Sequence, residues 1–159
     1  MIADKIVTRE EAKKRVQAWK AAGEKIVFAN GCFDLLHAGH VRYLEQAKTL
    51  GNRLIVAINE DASVTALKGP SRPIQPVADR AAILAALASV DLVVTFGEER
   101  TVNLLEALHP DVLVKGGDYA FDELPVEETS FVLSYGGEVR LVPLLGPSTT
   151  ELIKRIKEN

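Results

Sequence analysis

Within ten residues, Gly31-Cys32-Phe33-Asp34-Leu35-Leu36-His37-Ala38-Gly39-His40, the chain gathers two imidazoles, a carboxylate, a thiol and two glycines. His37 and His40 are three apart where a helix would begin, so both rings face one side of its first turn. Unpaired backbone N–H groups and the positive end of the helix dipole make such a turn an anion site. The imidazoles add donors that become cationic as negative charge builds up. Gly31 and Gly39 remove the Cβ where a phosphate-bearing ligand must approach closely. Taken singly, each residue has a plainer role: Asp34 as a turn cap, a histidine as a surface residue, Cys32 as a small buried hydrophobe. Together at one junction they suit charge stabilisation at a phosphate. A zinc site would need a third good ligand, and the remaining histidine, His109, lies far along the chain before Pro110.

Other polar residues fall where the pattern breaks. Lys68 and Arg72 belong to Lys68-Gly69-Pro70-Ser71-Arg72-Pro73-Ile74-Gln75-Pro76, where three prolines and a glycine forbid regular structure. Arg80 falls in the first turns of the next helix. Lys115, Gly116, Asp118 and Tyr119 follow an apolar run, as do Asn59 and Asp61. Ser148-Thr149-Thr150 opens the last helix, where Ser148 and Glu151 have capping-box spacing. Each has a structural explanation as a solvated loop, a turn or a cap.

The elements that position these residues alternate in type. Thr8 and Glu11 form a capping box that opens a helix running to Ala22 and stopping at Gly23. Apolar strands are expected at 25–30, 53–59, 91–96, 111–115 and 138–142. Helices are expected from Gly39 and over 78–88, 101–108 and 127–135, with a last one from Ser148. Short, continuously apolar strands between helices imply an α/β protein with a Rossmann-like five-stranded parallel sheet covered on both faces. Residues 1–159 read as a single domain. In such sheets ligands bind beyond the carboxyl ends of the strands, where strand order reverses. Most of the chemistry-bearing residues lie just after a strand.

Composition narrows the class. With 47% apolar and 26% charged residues, the chain reads as a soluble globular domain. The net charge of −3, with no basic run, argues against a nucleic-acid partner. No apolar run approaches bilayer length, so no membrane partner is expected. The lone cysteine and a start without a signal pattern fit the cytoplasm.

The string from Gly31 to His40 resembles the G-x-F-D-x-x-H-x-G-H signature of the cytidylyltransferase-like nucleotidyltransferase superfamily. Asn30 through Asp34, Leu54-Ile55-Val56-Ala57 with Asn59 and Asp61, and Leu67 through Pro73 are similar to one branch of it. So are Val114 through Tyr119, Gly136-Gly137-Glu138-Val139 and Ser148-Thr149-Thr150. That branch is heptose 1-phosphate adenylyltransferase, found alone or as half of a bifunctional kinase/adenylyltransferase, and the stand-alone form is expected here. The resemblance implies transfer of AMP from ATP to D-glycero-β-D-manno-heptose 1-phosphate, for lipopolysaccharide or another surface glycan. It implies His37, His40, Lys68 and Arg80 as catalytic residues. It places Gly31, Cys32, Phe33, Asp34, Gly39, Lys115, Gly116, Asp118, Tyr119, Ser148, Thr149 and Thr150 around the nucleotide. Asn59, Asp61 and Arg72 fall on the substrate side. Mg2+ would be bound mainly through the triphosphate, and relatives imply a homodimer or larger homo-oligomer.

The chain departs from the branch at Glu123-Leu124-Pro125-Val126-Glu127-Glu128-Thr129, where a Val-Gly-Ala-like turn is usual. The resemblance therefore does not carry over the detailed sugar-side or dimer-side contacts there, while the chemistry it implies is unaffected. The same chemistry with CTP and glycerol 3-phosphate, or with ATP and a flavin mononucleotide, remains open, as does a silent nucleotide-binding module. The latter is opposed by the intact histidine pair with Lys68 and Arg80.

Overall fold

The computed structural model describes residues 1–117 and 120–159. Thr8 Oγ1 accepts from Glu11 N–H at 3.2 Å and starts α1 (Arg9–Ala21). Then come β1 (Ile26–Gly31), α2 (Ala38–Lys48), β2 (Arg53–Asn59), α3 (Asp61–Lys68) and α4 (Val77–Ala85). The chain continues through β3 (Leu92–Phe96), α5 (Val102–Leu108), β4 (Val112–Gly116), α6 (Val126–Ser134), β5 (Glu138–Val142) and α7 (Thr149–Glu158).

The five strands form one sheet in the order β3-β2-β1-β4-β5, every neighbouring pair parallel. Side chains alternate between faces along each strand, which divides the core in two. Val27 and Ala29 of β1, with Val112 and Val114 of β4, pack against Leu44 of α2 and Leu84 of α4. Ile26 and Phe28, with Leu113, pack against Val16 of α1, Leu105 of α5 and Val132 of α6. Both faces are dry, which is why these strands are apolar without alternation. Truncating the fully buried Phe28 would cost about 3–5 kcal/mol.

Strand order reverses between β1 and β4. The chain steps outward from β1 to β2 and β3, then returns to β4 on the other side of β1. Connections at that point leave in opposite directions and open a crevice above the strand ends.

One helix was not expected. α3 carries Ser63, Val64 and Thr65, indifferent helix formers, and its N-cap Glu60 makes no side-chain capping bond. It ends at Gly69, whose φ of +103° suits glycine. Lys68 is therefore the last residue of a helix, and the irregular segment is confined to residues 69–76, between α3 and α4.

Candidate active site

The first junction is built by backbone N–H groups acting on imidazoles. His37 is the N-cap of α2, and its Nδ1 accepts from Gly39 N–H at 3.1 Å. His40 Nδ1 accepts from His37 N–H at 3.3 Å. With both Nδ1 atoms accepting, each neutral ring carries its proton on Nε2. The rings stack with centroids 3.8 Å apart, and Phe33 meets His40 edge-on at 5.1 Å. Burial, reinforced by the neighbouring His37, pushes His40 down to about 4, and burial also lowers His37. The junction thus presents two neutral N–H donors side by side.

The two glycines serve the protein's own packing. A Cβ on Gly39 would lie 2.4 Å from the Leu145 carbonyl oxygen and 2.9 Å from the His37 ring. One on Gly31 would meet the Phe33 ring at 2.9 Å. These contacts are a second reason for glycine beside the ligand clearance expected from sequence. Phe33 itself adopts φ +49°, a left-handed conformation that costs about 1–2 kcal/mol for a residue with a Cβ. Packing over Gly31 and against His40 holds it there.

Asp34 is almost wholly buried and faces the proline-rich segment. Its carboxylate accepts from Ile74 N–H at 2.9 Å, Gln75 N–H at 3.0 Å and Arg72 Nε at 2.6 Å. Burial alone would raise its pKa, but these two amides and the guanidinium outweigh it and hold the carboxyl below its ordinary range. Asp34 and Arg72 together fasten the segment after α3 to the β1–α2 loop.

Arg80 is fully buried and serves the scaffold. Its guanidinium donates to the carbonyls of Cys32, Asn59 and Gln75 at 2.8, 2.8 and 3.0 Å, and to Asp61 Oδ1 at 2.7 Å. Two strand ends and the segment between α3 and α4 are thereby tied to one side chain, and Asp61 is spent on it. Lys68, by contrast, is exposed at the cleft and has no ion-pair partner among the described residues.

Across from the imidazoles, α7 begins. Ser148 Oγ accepts from Glu151 N–H, and Thr149 Oγ1 donates to the Leu35 carbonyl at 3.0 Å, seating the helix start on the first junction. The other wall holds Lys115, whose ammonium lies 3.0 Å from Asn30 Oδ1 and 2.6 Å from Glu128 Oε2.

These walls enclose a cleft of about 640 Å³ above β1 and β4. Of the residues expected from sequence, His37, His40, Lys68, Gly31, Cys32, Phe33, Asp34, Lys115, Asn59, Arg72, Ser148, Thr149 and Thr150 line it. Gly116 lines an adjoining cavity of about 130 Å³ with Tyr43 and Leu144. Arg80, Gly39 and Asp61 support the cleft from behind, while Asp118 and Tyr119 lie outside the described residues. Burial pushes the Cys32 thiol up against the pull of Lys68, Arg80 and Arg72, so it stays protonated at neutral pH. The sequence reading missed Asn30 as a site residue, along with Phe96, Glu99, Arg100, Pro125, Glu128 and the Leu144–Pro147 stretch. For Asn30 and Phe96 a signal existed, because each ends or nearly ends an apolar strand. The rest look like ordinary loop or helix residues.

Imidazole donors facing a helix N-terminus, at the switch point of a doubly wound parallel sheet, define an α/β protein built to take a nucleotide-sized anion. The chain belongs to the cytidylyltransferase-like family, whose model matches residues 28–155. It is 53% identical over 155 residues to the bifunctional protein HldE of Magnetococcus marinus, covering 97% of this chain and 31% of that protein. Against HldE of Azotobacter vinelandii the identity is 57% over 138 residues, covering 86% of this chain and 29% of the relative. The chain thus spans about a third of the length of these relatives. A solved lipopolysaccharide core biosynthesis protein from Thermoplasma volcanium is 32% identical with a TM-score of 0.63, over 79% of this chain and 100% of that one. Pantoate-beta-alanine ligase from Francisella tularensis, at 16% identity and TM-score 0.63 over 97% of this chain and 78% of that one, shares the fold.

Proposed function

We propose that the chain transfers the adenylyl group of ATP to D-glycero-β-D-manno-heptose 1-phosphate, releasing pyrophosphate and forming ADP-heptose for a surface glycan such as lipopolysaccharide. The observation that carries the chemistry is the His37–His40 pair, whose tautomers are set by backbone N–H groups so that both Nε2–H donors are available. The choice of ATP and a heptose rests on the resemblance to the heptose 1-phosphate adenylyltransferase branch and on the identity to one third of HldE.

An oxygen of the acceptor phosphate attacks the α-phosphorus as the bond to the bridging oxygen of the β-phosphate breaks, its electron pair leaving with pyrophosphate. A phosphate monoester has its second pKa near ~6, so the nucleophile is ionised and needs no general base. The protein's task is alignment and neutralisation of charge. His37 and His40 donate to oxygens around the α-phosphate and gain proton affinity as charge accumulates beside them. The α7 N-terminus and Lys68 hold the rest of the triphosphate. Asp34, Arg72 and Arg80 fix the loops that carry these groups.

Among the described residues no group of three His, Cys, Asp or Glu could hold a metal ion. The Asp34 carboxylate is spent on Arg72 and two amides. The donor set therefore fits a magnesium ion carried by the triphosphate and water, where it would neutralise the leaving pyrophosphate.

The test is pyrophosphate release with ATP or CTP across a panel of acceptors that includes heptose 1-phosphate, glycerol 3-phosphate and flavin mononucleotide. Turnover with ATP and heptose 1-phosphate is expected. Activity on another acceptor with none on any heptose 1-phosphate would refute the assignment.

A further inference from the structure

The cleft is divided by the alternation of side chains along β1 and β4. Gly31 and Gly116 continue the face that packs on α2, where His40 and the small cavity beside Tyr43 and Leu144 lie. Asn30 and Lys115, one residue earlier, belong to the opposite face, covered by α5 and α6. There Glu128, in the first turn of α6, closes the wall. Its side chain is about 98% buried, being 2% exposed. Glu128 Oε1 accepts from Thr101 N–H at 3.1 Å and Thr101 Oγ1 at 2.7 Å. Glu128 Oε2 is buried beside the Lys115 ammonium at 2.6 Å without an aligned hydrogen bond.

The charge on Lys115 is therefore cancelled within the wall. Burial would raise the Glu128 pKa, but Lys115 and Thr101 outweigh it, and the carboxylate stays ionised. A compensated ammonium is a weak phosphate ligand compared with Lys68 or Arg100, which have no ion-pair partner among the described residues. It remains a directed N–H donor: Asn30 takes one of its three hydrogens and Glu128 balances its charge, so a hydrogen is left for a ligand in the cleft. That chemistry selects a neutral hydroxyl. Two ligands offer hydroxyls, the acceptor sugar and the ribose of the nucleotide. The imidazoles, the α7 start and the small cavity beside Tyr43 and Leu144 all lie on the α2 side, so the triphosphate belongs there. In-line displacement puts the acceptor on the opposite side of the α-phosphorus from the leaving pyrophosphate.

We propose that the α5–α6 side of the cleft is the acceptor-sugar subsite, with Lys115 donating to a sugar hydroxyl and Glu128 as the positioning residue that aims it and sets acceptor specificity. The proposal rests on the adenylyltransferase reading. It also places the departure from the branch pattern at the residue that tunes the acceptor.

Steady-state kinetics of the full chain test it, with ATP and heptose 1-phosphate varied in turn. Glu128→Gln keeps the shape of the side chain and unbalances Lys115. The expected result is a KM for the sugar phosphate raised about tenfold or more, with the KM for ATP changed less than about twofold, as for loss of one directed hydrogen bond. Lys115→Met should give the same split. An equal or larger rise in the KM for ATP would assign the pair to the ribose and overturn the proposal. A fall in kcat with both KM values unchanged would also overturn it.

Wild-type enzyme supplies a readout independent of folding of the variants. Acceptor analogues lacking single hydroxyls should include one whose KM rises about tenfold, whereas 2′-deoxy- and 3′-deoxy-ATP should behave like ATP. The reverse pattern overturns the proposal. If the panel reveals a different sugar phosphate as acceptor, the proposed function fails, and the same KM comparison with that acceptor still decides the role of Glu128.

Discussion

Asp34 Oδ2 lies 2.6 Å from Arg72 Nε, joining the first strand–helix junction to the proline-rich segment 38 residues further on. Two amides of that segment, from Ile74 and Gln75, end on the same carboxylate. One side chain thus replaces the secondary structure that the prolines forbid. Asp34→Ala would leave Arg72 and two amides without their acceptor, at a cost of about 3 kcal/mol, read from urea unfolding. The sign with pH follows from the depressed pKa of Asp34. Its contribution is complete above the unfolded value of about 4 and is lost as pH falls through the lower folded value. The stability gap between wild type and Asp34→Asn should be flat from neutral pH to about 4 and shrink below it. A gap that closes near neutrality would show that another group is titrating.

For the imidazole pair, removal of either ring should lower kcat by about 10²- to 10³-fold, the scale of losing one transition-state donor. Near-normal kcat in both His37→Ala and His40→Ala would reduce the junction to a binding role. In the ligand-free protein the His40 ring should titrate at about 4, and ATP should raise that value by placing phosphate beside it. Because the folded value lies below the unfolded ~6.5, the unfolded state takes up the proton first. Stability from His40 is complete above about 6.5 and declines as pH drops toward the folded value. NMR titration of the ring with and without ATP checks both points.

Lys68 and Arg80 should separate cleanly. Lys68→Ala removes an exposed cation, so stability should change by no more than about 0.5 kcal/mol while the KM for ATP rises. Arg80→Lys loses the fork that binds three carbonyls and Asp61, and should cost about 3 kcal/mol of stability. Urea unfolding beside ATP kinetics distinguishes them. An Arg80 variant of normal stability and raised KM for ATP would put its guanidinium on the phosphates.

Gly39→Ala sets two effects against each other. Alanine in a helix gains about 1 kcal/mol over glycine, but the new Cβ would sit 2.4 Å from a backbone oxygen at Leu145. Backbone yields less readily than a side chain, and overpacking costs about 1–3 kcal/mol. Net destabilisation is expected, with weaker ATP binding because the segment leading into α7 is displaced. A more stable Gly39→Ala protein would contradict this packing.

Inner-strand positions were legible because burial on both faces demands unbroken apolar runs, as in β2, which has the expected limits. The edge strand β5 is mostly exposed and was legible from its alternating Val139 and Leu141. The histidine junction was legible because its spacing is local. α3 was not, since neither its propensities nor a capping side chain announces it. Arg80 was assigned to phosphate from its neighbours in sequence, whereas its partners, the carbonyls of Cys32 and Asn59, are brought near only by the sheet. Glu128 was invisible for the same reason. It sits in an acid-rich stretch that looks solvated, and its burial depends on Thr101 at the start of α5 and Lys115 in β4.

The alternation that sends Asn30 and Lys115 one way and Gly31 and Gly116 the other has an evolutionary consequence. A one-residue slip in either strand would exchange the two sides and destroy both, so the strands are locked against change. The connection through α6 carries no such lock. On the proposed assignment of the two sides, rewriting that connection alone would change the acceptor and leave the α2 side untouched.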